Sequence, residues 1–259
     1  MGLMARYPSL AGRVVFVTGG ASGIGEGLVR AFAAQGAQVG FVDLDAAGGQ
    51  ALAHELEAAR DGGGAGHALF LPCDITDTAA LQAAMAQVRQ ALGPIGVLVS
   101  NAGNDQRHAL ADVSPAFFDQ DVAVNLRHQF FAAQAVVADM RALGGGSIIN
   151  LGSTSWLIKA PGYPVYASCK AAVRGLTRAL ARELGPLNIR VNSLVPGWVM
   201  TPRQLARWVT PEAEREIDAA QCLPGRLQAA DVARMALFLA ADDARMCTAQ
   251  DFVVDAGWS

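Results

Sequence analysis

Tyr166 and Lys170 are the residues of this chain whose types and spacing most directly suggest chemistry. Residues four apart on a helix lie on the same face, so an ammonium group would lie beside a phenol. A free phenol ionises near pH ~10 and is a weak base at neutral pH. A neighbouring positive charge favours the phenolate, so Lys170 is expected to lower the pKa of Tyr166. The pair could then act in general acid–base catalysis, if a substrate is placed beside it.

A glycine-rich turn near the start of the chain predicts a dinucleotide site. The apolar run at residues 14–17 is typical of a strand buried on both faces. The turn TGGASGIG follows at residues 18–25, and a helix is predicted from about Glu26 to Gln35. Glycines let backbone N–H groups approach a pyrophosphate, and a helix N-terminus favours its negative charge. The predicted contacts are Gly19, Ser22, Gly23, Ile24 and Gly25.

Asp43 ends the second predicted strand, residues 38–43, and is the candidate for contact with an adenosine ribose. Its carboxylate would repel a 2′-phosphate, and neither Gly20 nor Leu44 offers a compensating cation. The sequence therefore favours NAD over NADP. The alternative is that Asp43 only caps the next turn, and Asp45 is a second acid nearby.

Strand and helix patterns alternate along the whole chain. Further strands are predicted at 68–71, 97–99, 147–151, 191–195 and 252–255, and helices at about 46–60, 78 onward, 115–143 and 230–241, with a glycine loop at 62–64. This rhythm predicts an α/β fold, a doubly wound (Rossmann) parallel sheet of seven strands with helices on both faces. We expect one domain over residues 1–259, with a substrate lid at about 200–225. Asp74 is expected either to contact adenine or to cap the helix beginning near Thr78.

Bulk composition argues against several classes of protein. The net charge of -3 gives no nucleic-acid footprint, and 52% hydrophobic residues allow a sizeable core. The four cysteines and four histidines show no zinc or disulfide spacing, so no metal site is predicted. No signal peptide and no transmembrane run are recognised, which favours a cytoplasmic protein without membrane contact.

Several motifs together resemble the short-chain dehydrogenase/reductase family over almost the whole chain. They are the 18–25 turn, Asn-Ala-Gly at 101–103, a tetrad at 125, 153, 166 and 170, and Pro-Gly at 196–197. Ser100 and Gly152 depart from the family's common residues, but neither is a tetrad position. The resemblance implies catalytic roles for Asn125, Ser153, Tyr166 and Lys170. It implies cofactor contacts at Asp74, Ile75, Asn101, Ala102, Gly103, Pro196, Gly197, Val199 and Thr201, as well as at Tyr166 and Lys170.

A narrower resemblance, carried by stretches such as NDQRH at 104–108 and GSTSW at 152–156, is to NAD-dependent aldose 1-dehydrogenases of the D-xylose type. It implies oxidation of an aldose such as D-xylose, L-arabinose, D-galactose or L-fucose at C1 to the aldonolactone. The candidate sugar contacts are Asn104, Arg107, Ser153, Trp156, Tyr163 and Trp198, since polar groups can bind hydroxyls and aromatic rings can stack on C–H faces. Alternatively, Asp105 and Arg107 form a solvated ion pair and the tryptophans belong to the core.

The resemblance also implies a mechanism. Tyr166 would take the proton of the anomeric hydroxyl, Ser153 would hydrogen-bond the same oxygen, Lys170 would hold the nicotinamide ribose, and Asn125 would anchor a water that relays the proton. A homotetramer is expected on the same grounds. Two other functions stay open: a dehydrogenase or reductase of a non-sugar alcohol or ketone, and an NAD-binding regulator without turnover.

Overall fold

A computed structural model describes residues 5–61 and 67–259. The glycine loop predicted at 62–64 lies outside the described residues. None of the described helices is both long enough and apolar enough to cross a membrane.

Seven parallel strands form one sheet in the order β3-β2-β1-β4-β5-β6-β7, which confirms the predicted architecture. The strands are β1 Val14–Thr18, β2 Gln38–Asp43, β3 His67–Pro72, β4 Val97–Ser100, β5 Gly146–Leu151, β6 Ile189–Pro196 and β7 Asp251–Val254. Val17 of β1 pairs with Phe41 on one side and Val99 on the other. The order of the strands reverses between β1 and β4, and a ligand crevice is expected at such a point.

Helices cover both faces of the sheet. They are α1 Gly23–Ala34, α2 Ala46–Asp61, α3 Thr78–Leu92, α4 Pro115–Val122, α5 His128–Ala142, α6 Pro164–Leu184, α7 Pro202–Arg207, α8 Pro211–Ala220 and α9 Ala229–Ala240. Because strand side chains alternate between faces, β1 divides its residues. Val15 and Val17 join the core beneath α1 and α9, whereas Val14 and Phe16 join the core beneath α3 and α5. Burial on both faces explains the apolar run at residues 14–17.

Three local predictions are corrected by the structure. The helix after the glycine turn begins at Gly23 rather than Glu26, because the end of the turn is already helical. The helix predicted over 115–143 is interrupted by a π-helical turn, Ala123–Arg127, and such turns are often found at functional sites. Asp77, not Asp74, caps α3, since its carboxylate accepts hydrogen bonds from the N–H groups of the helix's first turn.

The segment predicted as a lid contains two short helices. Helices α7 and α8 each begin with a proline, and the threonine before each accepts a hydrogen bond from the first turn: Thr201 from Gln204 and Thr210 from Ala213. Proline at the first helical position and threonine at the N-cap are favourable for starting a helix. We refer to residues 202–220 as the α7–α8 segment.

Candidate active site

A cavity of about 1140 Å³ opens at the carboxyl ends of the strands and is covered in part by the α7–α8 segment. All of the predicted site residues are among the described ones, and every one of them except Asn125 and Trp156 lines this cavity. The structure therefore brings together residues that lie up to 182 positions apart, from Gly19 to Thr201. The predicted cofactor contacts and the predicted catalytic groups share one space.

The glycine turn is shaped so that backbone, not side chain, faces the cavity. Gly19 has φ +68°, and a Cβ there would lie 2.8 Å from the Cα of Ala102. A Cβ on Gly25 would overlap the carbonyl oxygen of Gly19. Ser22, the N-cap of α1, makes no side-chain capping bond, so the first N–H groups of α1 are available to an anion. These residues fit the pyrophosphate of a dinucleotide.

Asn101 joins the glycine turn to the end of β4. Its amide Nδ2 donates to the carbonyl oxygens of Thr18 and Gly19, both at 2.9 Å, and its own N–H donates to Thr18 Oγ1 at 3.0 Å. Because this amide is engaged by the backbone, Asn101 holds the shape of the cofactor site.

Asp43 lies at the end of β2, as predicted, and its carboxylate faces the glycine turn. One oxygen accepts from Ala21 N at 2.9 Å and the other accepts from Asp45 N at 3.0 Å. The carboxylate therefore both shapes the turn, as the alternative interpretation held, and lines the cavity. A carboxylate fixed by two backbone donors has little freedom to move away from a second negative charge.

The catalytic candidates Ser153, Tyr166 and Lys170 lie together on the floor of the cavity. Ser153 follows β5 and hydrogen-bonds to the phenol of Tyr166. Lys170 lies one turn along α6, with Nζ 5.6 Å from the centre of the Tyr166 ring and 2.9 Å from the carbonyl oxygen of Leu151. Its side chain is almost completely buried, at 2% exposure. The helical spacing that suggested this pair is confirmed.

The electrostatics of Tyr166 correct one expectation. Burial raises the pKa of Tyr166 above its ordinary value, and the hydrogen bond with Ser153 offsets only part of the rise. Burial also lowers the pKa of Lys170 from 10.5 to about 8. The expectation of a lowered pKa for Tyr166 is therefore wrong for the chain alone, because desolvation outweighs the hydrogen bond with Ser153.

Asn125 lies behind the cavity, in the π-helical turn, with no exposed surface. Its Oδ1 accepts from Asn104 N at 2.9 Å, and its Nδ2 donates to Asn104 O at 3.1 Å and to Asp121 Oδ1 at 3.0 Å. The side chain therefore fixes the start of the loop after β4. A Cβ on Gly103 would lie 3.2 Å from Asn125 Oδ1 and 3.3 Å from Lys170 Nζ, which explains a glycine there. The water assigned to Asn125 stays a prediction.

The end of the cavity predicted to bind the substrate is aromatic. Tyr163, Trp198, Trp208 and Trp258 line it, and we call these four residues the aromatic wall. The guanidinium carbon of Arg107 lies 5.4 Å from the ring centre of Tyr163, 5.6 Å from Trp198 and 4.8 Å from Trp208. In the described part of the chain, Arg107 makes no hydrogen bond or ion pair, so its donors are available.

Two of the competing interpretations are not what the structure shows. Asp105 does not pair with Arg107; its carboxylate lies 3.5 Å from Arg203 and accepts from Gln204 Nε2 at 2.7 Å. Trp198 is not a core residue, because its ring lines the cavity. Trp156 does not reach the described cavity lining; it packs 6.0 Å from the guanidinium of Arg174. The role of Trp156 as a substrate contact stays a prediction.

Comparison with known proteins identifies the family. A family model described as enoyl-(acyl carrier protein) reductase matches residues 19–259. The structure of a short-chain type dehydrogenase/reductase from Mycobacterium ulcerans superposes with a TM-score of 0.90 at 30% identity, covering 96% of this chain and 90% of that chain. The chain belongs to the short-chain dehydrogenase/reductase family. It is thus an oxidoreductase whose Rossmann fold binds a nicotinamide cofactor.

Relatives within the short-chain dehydrogenase/reductase family are similar over nearly their full length. A D-xylose 1-dehydrogenase of Caulobacter vibrioides is 48% identical over 98% of both chains. A probable galactose dehydrogenase of Rhizobium meliloti is 44% identical over 98% of this chain and 97% of its own. A blue fluorescent protein from a metagenomic library, solved with NADPH, is 36% identical with a TM-score of 0.88, covering 97% of this chain and 99% of its own. The fold therefore does not by itself choose between NAD and NADP.

Several cavity residues of this family member were missed by sequence reasoning. They come mostly from the α7–α8 segment and the C-terminus: Arg203, Gln204, Arg207, Trp208, Glu212, Glu216 and Trp258. Proline and threonine at residues 201–202 and 210–211 signalled two helix starts, but no spacing rule showed which faces would turn inward. Trp258 carried only the general signal of a tryptophan near polar residues.

Proposed function

We propose that this chain oxidises an aldose at C1 to the aldonolactone, with NAD as the hydride acceptor. The observation that carries the proposal is the placement of Ser153, Tyr166 and Lys170 on the cavity floor, directly beside an aromatic wall and a free guanidinium. Aromatic rings suit the C–H faces of a sugar, and Arg107 offers donors for its hydroxyls. The names of the two curated relatives described above point to the same class of substrate.

Proton transfer is assigned to Tyr166. As phenolate it takes the proton of the anomeric hydroxyl, while Ser153 hydrogen-bonds the same oxygen as its carbonyl character develops. The bound oxidised cofactor supplies the hydride acceptor and a positive charge, which favours the phenolate that burial disfavours. Lys170 uses one donor on the carbonyl of Leu151, and its other two are free to hold the ribose hydroxyls.

The choice of NAD rests on Asp43. Its two oxygens are each held by a backbone donor, so the negative charge stays at the mouth of the adenosine site. A 2′-phosphate there would meet a fixed carboxylate at short range, and like charges at such distances repel strongly. The ribose hydroxyls of NAD, in contrast, can donate to the same oxygens.

The proposal includes a lid and self-association. We assign the lid to the α7–α8 segment, because it covers the cavity and contributes side chains to its lining. We also propose a homotetramer, which the exposure of Phe118 on α4, Phe130 on α5 and Val253 on β7 supports. Exposed apolar groups of this size are common at subunit contacts.

The experiment that tests the proposal is NAD reduction at 340 nm with D-xylose, L-arabinose, D-galactose, D-glucose, L-fucose and simple secondary alcohols, each repeated with NADP. Tyr166→Phe should lower the rate with the best aldose about 10²–10⁴-fold, because it removes the proton acceptor with little change of shape. Tyr7→Phe is the matched control, since Tyr7 does not line the cavity and its N–H donates to Gln35 at the end of α1, so the change is expected to leave the rate unchanged.

If no aldose is oxidised although calorimetry shows that NAD binds, the sugar proposal is wrong. Ketones and other alcohols are then the substrates to test. Near-normal turnover by Tyr166→Phe would remove Tyr166 as the base. Faster reduction of NADP than of NAD would overturn the role assigned to Asp43.

A further inference from the structure

Three side chains from separate segments form a directed series of hydrogen bonds across the substrate end of the cavity. The indole Nε1–H of Trp198 donates to Gln204 Oε1 at 2.9 Å, and Gln204 Nε2 donates to Asp105 Oδ2 at 2.7 Å. We call this the Trp198–Gln204–Asp105 relay. It connects the aromatic wall to helix α7 and to the loop after β4.

The direction of the relay is fixed by chemistry. An indole N–H can only donate and a carboxylate can only accept, so only one orientation of the Gln204 amide satisfies both neighbours. The reversed amide would place two donors together and two acceptors together. Arg203, 3.5 Å from Asp105, balances the negative charge. The carboxylate of Asp105 thus determines how Gln204 presents its oxygen, and that oxygen determines where the Trp198 ring lies.

We propose that Asp105 is a positioning residue that, through Gln204, places Trp198 against the substrate when α7 is docked on the loop after β4. The inference rests on the proposed function in one respect, since Trp198 is taken there to contact the sugar. Docking of the lid and completion of the aromatic wall are then one event. The ring of Trp198 also packs 6.3 Å from that of Trp258, so a displaced Trp198 would disturb the wall further.

Steady-state kinetics of four single variants and one double variant test the relay. Gln204→Met keeps the length of the side chain and removes both hydrogen bonds, and Asp105→Ala removes the final acceptor. Each should raise the KM for the aldose roughly tenfold, the ratio expected for loss of one hydrogen bond to a charged group, with the KM for NAD unchanged. Asp105→Asn keeps an acceptor oxygen and should restore most of the loss seen with Asp105→Ala.

Gln106→Met is the matched control. Gln106 is exposed, neighbours Asp105 in sequence, does not line the cavity, and its side chain makes no hydrogen bond with the described residues. It should behave as the unchanged protein. A KM change in Gln106→Met equal to that in Gln204→Met would overturn the relay, because the effect would then belong to the loop in general.

The double variant Asp105→Ala/Gln204→Met separates a relay from two independent contacts. If the residues act in series, the second change adds nothing, and the double variant matches either single one. If the rise in KM of the double variant equals the product of the rises in the two single variants, the inference is wrong.

Hydrogen exchange of the NAD-bound protein gives a readout that needs no substrate. Gln204→Met should speed exchange of the α7 amides roughly tenfold, and Gln106→Met should not. If the unchanged protein oxidises no aldose, the proposed function is wrong, but this measurement still tests the relay. An unaltered exchange rate of the α7 amides in Gln204→Met would contradict the relay.

Discussion

The two ends of the cavity are built from different parts of the chain. The cofactor end consists mainly of backbone, with glycines at 19, 23 and 25 and a helix terminus, all within one short stretch. The proposed substrate end consists of side chains from four distant segments, represented by Arg107, Tyr163, Trp198 and Trp258. The shape of the cofactor end is therefore set by the backbone, whereas the substrate end depends on how separate loops place their side chains.

This difference has a physical consequence for mutation. Backbone that approaches a ligand closely leaves no room for an added atom. Replacing a glycine at the cofactor end by any larger residue should therefore weaken cofactor binding severely. Groups at the substrate end act through individual hydrogen bonds and ring contacts, each of which contributes a limited free energy. We therefore expect steep, general losses at one end and graded losses that depend on the substrate at the other.

The largest effect is expected from Gly25→Ala. A Cβ at Gly25 would overlap the carbonyl oxygen of Gly19 and approach Asn101 Nδ2 to 2.7 Å, so the turn must move. NAD affinity by calorimetry should fall roughly a hundredfold or more, which corresponds to the loss of a few hydrogen bonds to the cofactor. All substrates should be affected equally.

Gly175→Ala is the control for that change. Gly175 lies on the exposed face of α6, and a Cβ there meets nothing within 4 Å. It should leave NAD affinity intact and raise stability by about 1 kcal/mol, since alanine is the better helix former. Normal NAD affinity in Gly25→Ala would show that the turn adapts, and would break the contrast between the two ends.

A smaller, selective effect is expected from Arg107→Met. The change removes the donors but keeps a side chain that can pack among Tyr163, Trp198 and Trp208. The KM for the aldose should rise roughly tenfold and that for NAD should stay within about twofold, as for a lost hydrogen bond to a charged group. Arg141→Met, on the exposed end of α5, is the matched control. A parallel rise in the KM for NAD would mean that Arg107 serves the whole cavity.

The same contrast explains what the sequence could predict. The alternation of strands and helices, the glycine turn, Asp43 and the Tyr166–Lys170 pair follow from short-range patterns, because periodicity and i,i+4 spacing are local properties. The partners of Asp105 and Arg107 depend on how α7 packs on a loop almost a hundred residues earlier, which no spacing rule contains. Trp156 shows the same limit: its place after β5 follows from the sequence, but the packing of its ring against Arg174 does not. The raised pKa of Tyr166 required knowledge of burial as well as of the neighbouring charge.

Lys170 lies where the two ends meet, and its burial predicts an effect on folding stability. Because burial lowers its pKa from 10.5 to about 8, the unfolded chain binds more protons than the folded one between those values. Folding stability attributable to Lys170 therefore rises with pH across this window, and the cost of the buried charge is fully present below pH 8.

Lys170→Met should accordingly stabilise the cofactor-free protein at pH 7 by about 1–3 kcal/mol, a few degrees in Tm, while abolishing turnover. The lost bond to Leu151 O subtracts about 1 kcal/mol from this gain, but that oxygen also accepts from Gln129 Nε2 at 3.4 Å and is not left unpaired. Thermal melts of both proteins at pH 7 and pH 10 measure the effect, and the gap in Tm should shrink as pH rises. A gap that widens with pH would mean that Lys170 is held by its partners more than it is penalised by burial. Lys170 would then stabilise the folded protein, and its burial between the two ends of the cavity would not lower stability for the sake of catalysis.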